Sequence, residues 1–330
     1  MDARANLVTI LFVSTLIATL ISTPSLSRTQ EWPARQPIRV LVALTPGSAT
    51  DLVSRLVFEQ VGKQIGQIVV IENRAGASQT TAASAVAKAE RDGYTILAAG
   101  SALAVVPSTM TKLTVGLQTD LTAVGLLADV PLVMVVNPGK GYKNIQDFVF
   151  AAKKAARGTM TYGSGGHGDS THLAAERSRV AAGVEGLYVP FRGSPEVLNE
   201  VMAGRLEFYM SPAAPAMSLI AGRKVQALAV ASATRAITLP DVPTTTEAGF
   251  VHSDYEFWVG AFAPTGMPRA LVDRLNQEIV KLIETLQVRE RLESIGGSAS
   301  PLSAQAFADQ FKREIAIDAA LVKAVGLEAN

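Results

Sequence analysis

The sequence predicts an α/β chain of two units, each built on a parallel-rich sheet, with a ligand cleft between them. Three observations carry this. Strand-like apolar runs alternate with helical ones, which is the βαβ rhythm of parallel sheets. The rhythm restarts after Asn137-Pro138-Gly139, and the chain ends on helices that have no sheet of their own.

In chain order, the first unit reads as strand 38–44, helix 51–65, strand 68–71, helix 78–89 and strand 95–99, the last followed by a loop. Residues 121–136 are apolar but interrupted by Asp129 and Pro131, and 132–136 and 225–231 read as strands covered on both faces. The second unit reads as helix 145–156, strand 159–162, helix 170–182, strand 187–189, helix 195–203, strand 206–210, helix 212–221 and strand 225–231. Ser194 before Pro195 has the chemistry of an N-cap followed by a first helical residue. After the Pro-rich stretch 239–243 come strand 257–263, helix 269–285 and helix 304–325, which stops at Gly326. These last helices are expected to return to the first unit. That makes lobe 1 discontinuous, 32–128 plus 258–330, and leaves 129–257 as lobe 2, with two crossings near 128–132 and 255–260 as a hinge.

The 330 residues carry a net charge of +1 with 18% charged residues, which gives no electrostatic footprint for nucleic acid or a membrane surface. With no cysteine, the chain is neither a disulfide scaffold nor a Cys-anchored lipoprotein, and its stability rests on packed cores. Arg4, the apolar or hydroxyl run 7–21 and the small residues 22–27 have the layout of a secretory signal occupying 1–27 and cleaved after Ser27. The run is shorter than the ~20 residues of a membrane span, and an uncleaved anchor is the alternative.

Two runs rich in Gly and hydroxyl residues sit where a strand hands over to a helix. The first is Thr45-Pro46-Gly47-Ser48-Ala49-Thr50-Asp51, and the second is Tyr162-Gly163-Ser164-Gly165-Gly166-His167-Gly168-Asp169-Ser170-Thr171. Helix N-termini expose backbone N–H groups, and glycines beside them let an anion approach, so the pair predicts a small acid gripped from both sides. Each residue has a structural alternative. Ser48 and Asp51 have capping-box spacing, so Asp51 closes a helix start, binds ligand, or does both. Gly165, Gly166 and Gly168 serve a tight turn or a site, Arg192 a solvated turn or the cleft edge, Phe257 and Trp258 the core or the solute, and Arg74 structure. Ser164, His167, Asp169 and His172 crowd one loop, yet Gly163-Ser164-Gly165 is not a nucleophile elbow, so a serine hydrolase is the weaker reading. Zinc is disfavoured because His167 and His172 do not share a helix face and His252 is remote; no Gly-Lys-Ser/Thr makes a P-loop.

A set of motifs in order carries a family resemblance across nearly the whole chain after the signal. They are Trp32-Pro33, Pro37-Ile38-Arg39, Pro46-Gly47-Ser48-Ala49-Thr50-Asp51, Glu72-Asn73-Arg74-Ala75-Gly76-Ala77 and Asp92-Gly93-Tyr94-Thr95. Pro131-Leu132-Val133, Val136-Asn137-Pro138, the second Gly-rich run, Val189-Pro190-Phe191-Arg192-Gly193-Ser194 and Leu239-Pro240-Asp241-Val242-Pro243-Thr244 follow, then Glu247-Ala248-Gly249 and Trp258-Val259-Gly260-Ala261-Phe262-Ala263-Pro264. The set resembles the Bordetella-uptake-gene-type (Bug) periplasmic receptors, the substrate-binding proteins of tripartite tricarboxylate transporters. The resemblance implies a type II periplasmic-binding-protein-like fold, a periplasmic location, a small carboxylate solute and membrane permease subunits as partners. No cofactor, metal or nucleic acid is expected, and the receptor is expected to be a monomer; a ligand sensor for a signalling partner is the alternative role. The candidate ligand-binding residues are Thr45, Pro46, Gly47, Ser48, Thr50, Asp51, Ser101, Ser164, Gly165, Gly166, His167, Ser170, Thr171, Arg192 and Ser211. Many relatives carry an Asp after the strand corresponding to 206–210, where this chain has Ser211, which implies a plain or aromatic carboxylate rather than an amino acid.

Overall fold

The computed structural model describes residues 32–156 and 158–327, so the expected signal segment lies outside the described residues. Two five-stranded mixed sheets organise the chain. The first contains β1 (Ile38–Val42), β2 (Val69–Asn73), β3 (Thr95–Gly100), β4 (Leu121–Asp129) and β10 (Trp258–Pro264), in the order β2-β1-β3-β10-β4. The second contains β5 (Leu132–Val136), β6 (Thr161–Ser164), β7 (Leu187–Pro190), β8 (Phe208–Pro212) and β9 (Gln226–Val230), in the order β7-β6-β8-β5-β9. In each sheet four strands share one direction and one inserted strand, β10 or β5, runs antiparallel to both its neighbours. Those inserted strands are apolar along their whole length and fully buried, as strands covered on both faces must be.

Helices α1 (Ala49–Ile65), α2 (Thr80–Ala87) and α3 (Ala102–Thr109) follow β1, β2 and β3. Helix α4 (Ile145–Lys154) follows β5, and α5 (Ser170–Ala182), α6 (Ser194–Met202) and α7 (Ala213–Ala221) follow β6, β7 and β8. After β10 come α8 (Arg269–Ile283), α9 (Leu286–Ser294) and α10 (Ala304–Ala324). Helices α3 and α9 correct the sequence reading, which placed a loop after β3 and ran 269–285 without a second helix. Pro107 inside α3 is what hides it as a pattern. The cap of α6 is Gly193, and Ser194 is its first residue, one position earlier than Ser-Pro chemistry suggests.

The C-terminal helices pack on the first sheet: Asn276 of α8 donates to Val124 O at 2.8 Å, and Trp258 meets Phe307 of α10 edge-on at 5.2 Å. Phe307 is fully buried against Trp258 and Phe262, and any side chain at Gly260 would collide with its ring. Phe307→Ala should therefore cost about 3 to 5 kcal/mol in denaturant unfolding, the range for a large aromatic removed from a core. A cost under about 1 kcal/mol would mean that the cluster repacks freely.

Two connectors join the sheets. Val130-Pro131 links β4 to β5, and the segment from β9 returns through Tyr255 and Phe257 into β10. They run side by side, with Val130 N–H donating to Phe257 O at 2.8 Å. A pair of adjacent crossings is the geometry of a hinge.

Candidate functional site

Six helices begin around one enclosed cavity. Ala49, Gln79, Ala102, Ser170, Ser194 and Pro212, from the starts or caps of α1, α2, α3, α5, α6 and α7, line a space of about 20 Å³. Leu44, Gly165, Asp169, Thr171, Gly193 and Phe257 complete the wall. Among the described residues, no cationic side chain is in that wall. A helix start leaves backbone N–H groups without intrahelical partners and carries roughly half a positive charge, so six of them aimed at one space favour an anion. The volume suits about one water.

The two sides touch directly across this space. Ser101, at the cap position of α3, places its Oγ 2.8 Å from the Oγ of Ser170, the first residue of α5. Ser170 also bonds the Tyr255 hydroxyl, which in turn donates to Asp318 Oδ1 on α10 at 3.1 Å. A buried hydroxyl chain thus runs from the cavity to the connector and on to a carboxylate of the first unit. A Cβ at Gly193 would sit 2.3 Å from Thr45 Oγ1, and one at Gly168 2.8 Å from the Thr109 side chain. Both contacts run between the unit of the first sheet and that of the second.

A larger cavity of about 550 Å³ also borders Phe257. Asp129, Asp254, Glu256, Glu293 and Glu314 line it against only Arg235 and Arg313. That lining is acidic on balance, which makes the smaller cavity the better candidate for an anion.

In the first loop, Ser48 caps α1 by accepting from Asp51 N–H at 3.3 Å, and the Asp51 carboxylate accepts from Gly47 N–H (2.9 Å), Arg55 (3.0 Å) and Asn73 (2.9 Å). Burial works against the Asp51 charge, but these donors outweigh it and hold the carboxyl below its ordinary range. Asp51 thereby ties the loop to Arg55 and Asn73 and closes the start of α1. Thr45 Oγ1 and Thr50 Oγ1 are buried with no partner.

In the second loop the glycine N–H groups are already used: Gly165 donates to Thr171 Oγ1 (3.0 Å), Gly166 to Ser164 Oγ (3.3 Å) and Gly168 to His172 Nδ1 (3.1 Å). Gly165 and Gly168 let the chain pass close to Gly193 and Thr109. Asp169 caps α5 through Oδ1, and burial pushes its carboxyl up to about 6. Ser164 Oγ meets Gly166 O (2.6 Å) and the Tyr188 hydroxyl (2.8 Å) rather than a histidine. His172 stacks on Tyr188 at 3.7 Å, and burial, with His167 and Arg179 nearby, lowers its imidazole to about 3. A neutral imidazole accepting from Gly168 is a packing group with no serine to activate. Among the described residues no group of three His, Cys, Asp or Glu could hold a metal ion.

Of the residues singled out in the sequence, Gly165, Ser170 and Thr171 line the cavity, and Ser101 reaches it through Ser170. Gly47 and Thr45 stand at its mouth against Pro195 and Gly193. Pro46 and Arg192 are exposed and take no part in its wall, the latter's backbone N–H donating to Glu196. Ser211 is buried inside β8 with its hydroxyl donating to Pro212 O at 2.9 Å, so it offers no hydroxyl to the cavity, and Pro212 takes that place. His167 rests on His172 and Tyr188. The sequence reading missed Gln79, Gly193 and Ser194 as lining residues and weighed Asp169 only in a catalytic triad. The Gly193-Ser194-Pro195 helix start was the available signal for two of them; Gln79 had none.

Known proteins show the same arrangement of chain. The family model described as "Tripartite tricarboxylate transporter family receptor" matches residues 53–327. A Pseudomonas protein encoded in the tcbD-tcbE intergenic region is 34% identical over 315 residues, covering 95% of this chain and 93% of the relative. A solved R. palustris protein with adipate superposes with TM-score 0.87 at 28% identity, covering 91% of this chain and 100% of that one. MatC from Rhodopseudomonas palustris with bound malate gives 0.80 at 27%, covering 88% and 99%. Matching in family pattern, in length and in both sheets, the chain belongs to the tripartite tricarboxylate transporter family of receptors.

Proposed function

We propose that this receptor binds a small carboxylate in the cavity between its sheets, in the periplasm, and delivers it to the permease subunits of a tripartite transporter rather than transforming it. The convergence of six helix N-termini on a space without a cationic side chain carries the reading, since that arrangement stabilises negative charge by backbone dipoles alone. The adipate and malate held by the two solved relatives support the ligand class. Residues 32–128 with 258–330, and 129–257, are the two bodies that close on the solute, pivoting on the paired connectors, and the receptor works as a monomer after removal of 1–27.

A ligand that binds only the folded state at about 100 times its Kd adds about 2.7 kcal/mol of stability. At about 2 to 4 °C per kcal/mol, the cognate acid should raise Tm by about 5 to 10 °C after ligand is stripped by denaturation and refolding. A panel of aliphatic di- and tricarboxylates, aromatic acids and acidic amino acids that produces no shift would remove the carboxylate reading.

A further inference from the structure

Three consecutive residues before α2 hold positive φ without being glycine: Ala77 (44°), Ser78 (49°) and Gln79 (78°). A run of left-handed conformers in residues with a Cβ is disfavoured at each position and persists where the surroundings impose it, a pattern that clusters at ligand clamps. Here the run has a definite product. It delivers Gln79, at the cap position of α2, into the wall of the cavity with its side chain buried to 2% exposure. The side chain does not cap its own helix. Instead Oε1 accepts from Gly100 N–H at 2.8 Å, fixing the plane of the carboxamide.

With the carbonyl oxygen committed to Gly100, the other end of the amide is an NH₂ donor. The remaining polar side chains of the wall are the hydroxyls of Ser170, Thr171 and Ser194 and the carboxylate of Asp169, and all of these belong to α5 and α6. Among the described residues, Gln79 is the sole polar side chain that the first sheet's unit puts in the wall. It stands beside Ala49 and Ala102, the first residues of α1 and α3.

We propose that Gln79 is a specificity-determining residue, whose side-chain NH₂ donates to a second acceptor group of the solute, so that this receptor prefers dicarboxylates to monocarboxylates of the same carbon skeleton. The proposal rests on the carboxylate-receptor reading and adds to it which side chain counts the second carboxylate. An amide donor is suited to that task because it is neutral: it rewards an acceptor oxygen and gives nothing to a methyl group or an ammonium.

Calorimetry on the full receptor with matched pairs tests it: adipate with hexanoate, succinate with butyrate, and terephthalate with benzoate. The parent should prefer the diacid of at least one pair by about tenfold or more, the worth of one hydrogen bond to a charged group. Gln79→Gly should collapse that preference by losing diacid affinity while monoacid affinity stays within about threefold. Glycine suits the left-handed φ but leaves Gly100 N–H without its partner, so this variant should melt no higher than the parent, and a cooperative melt with unchanged circular dichroism separates lost recognition from lost folding. Gln79→Glu keeps an acceptor for Gly100 N–H and presents a like charge to the solute, and should weaken the diacid further than Gln79→Gly does. A diacid preference that survives both substitutions overturns the proposal and leaves Gln79 as a prop for Gly100, with the receptor reading intact. If the parent binds no acid of the panel, both readings fall.

Discussion

Gly193→Val should lower solute affinity at least a hundredfold while leaving the protein folded. Gly193 has φ of 168°, extended backbone that valine adopts without strain, and it precedes α6 in the unit built on the second sheet. Thr45 belongs to the loop after β1 in the other unit, yet a Cβ at Gly193 would fall 2.3 Å from Thr45 Oγ1 and 3.5 Å from Thr45 Cβ. The collision is therefore between the two bodies and disappears when they part. A receptor held open offers the solute one set of helix starts instead of two, and losing even one or two charge-assisted hydrogen bonds of about 1.5 to 3 kcal/mol each reaches the hundredfold mark. Titration calorimetry and small-angle scattering measure the two halves of this: weakened binding, and no ligand-driven compaction. Gly166→Val is the contrasting control, since a side chain there meets only Asp169 of its own loop, at 3.6 Å. Equal binding by Gly193→Val and the parent would mean that the cleft does not shut on its solute in the way seen between Thr45 and Gly193.

How far the site was legible in the sequence follows from which physical signals are local. Helix α5 was read with its observed bounds because its punctuation is all in the chain: Asp169 caps it and Gly183 ends it in the left-handed region. The alternation of β1-α1 and of β6-α5-β7-α6 was equally plain, and with it the two loops that face the cavity. Helix α3 was not, since Pro107 breaks the pattern and its burial depends on α10, some 200 residues away in the chain. Within the loops, residue type identified the neighbourhood but not direction. Ser164 and Ser211 look like Ser170 on paper, yet the strand pleat turns the first two into the core, and only the first turn of α5 delivers the third to the cavity. Gln79 was invisible for a stronger reason. Ser-Gln-Thr-Thr carries helix and turn chemistry, and nothing in those letters announces three left-handed residues, which tertiary packing imposes.

Stability should fall as pH rises from 5 to 8, the reverse of the usual behaviour of carboxylate-rich proteins, because of the acids at the hinge. Burial pushes Glu314 up to about 7, with Asp318 and Glu256 adding to it against the hydrogen bonds from Trp258 and Gln310. Burial likewise raises Asp318 to about 7 despite Tyr255 and Arg177, and Asp129 to about 6 despite Ser300. A carboxyl raised on folding keeps its proton in the native state after the unfolded chain has lost it, so the native state binds more protons between about pH 4 and pH 7 and loses stability across that window. His172 acts oppositely: lowered to about 3, it stays neutral while the unfolded imidazole protonates below about 6.5, which costs stability toward acid. From pH 5 to 8 the two raised α10 carboxyls outweigh the one imidazole by on the order of 3 kcal/mol, or a Tm lower by about 6 to 12 °C at pH 8. Replacing both acids, Glu314→Gln with Asp318→Asn, retains hydrogen-bonding oxygens for Trp258 and Tyr255 and removes the titration. Calorimetric melting of that double variant should then show a nearly flat profile from pH 5 to 8, because Asp129 and Asp169, both raised to about 6, offset the opposing His172. A parent protein as stable at pH 8 as at pH 5 would show that the α10 carboxyls are ionised in the native state at pH 5, and that the hinge carries their charge without penalty.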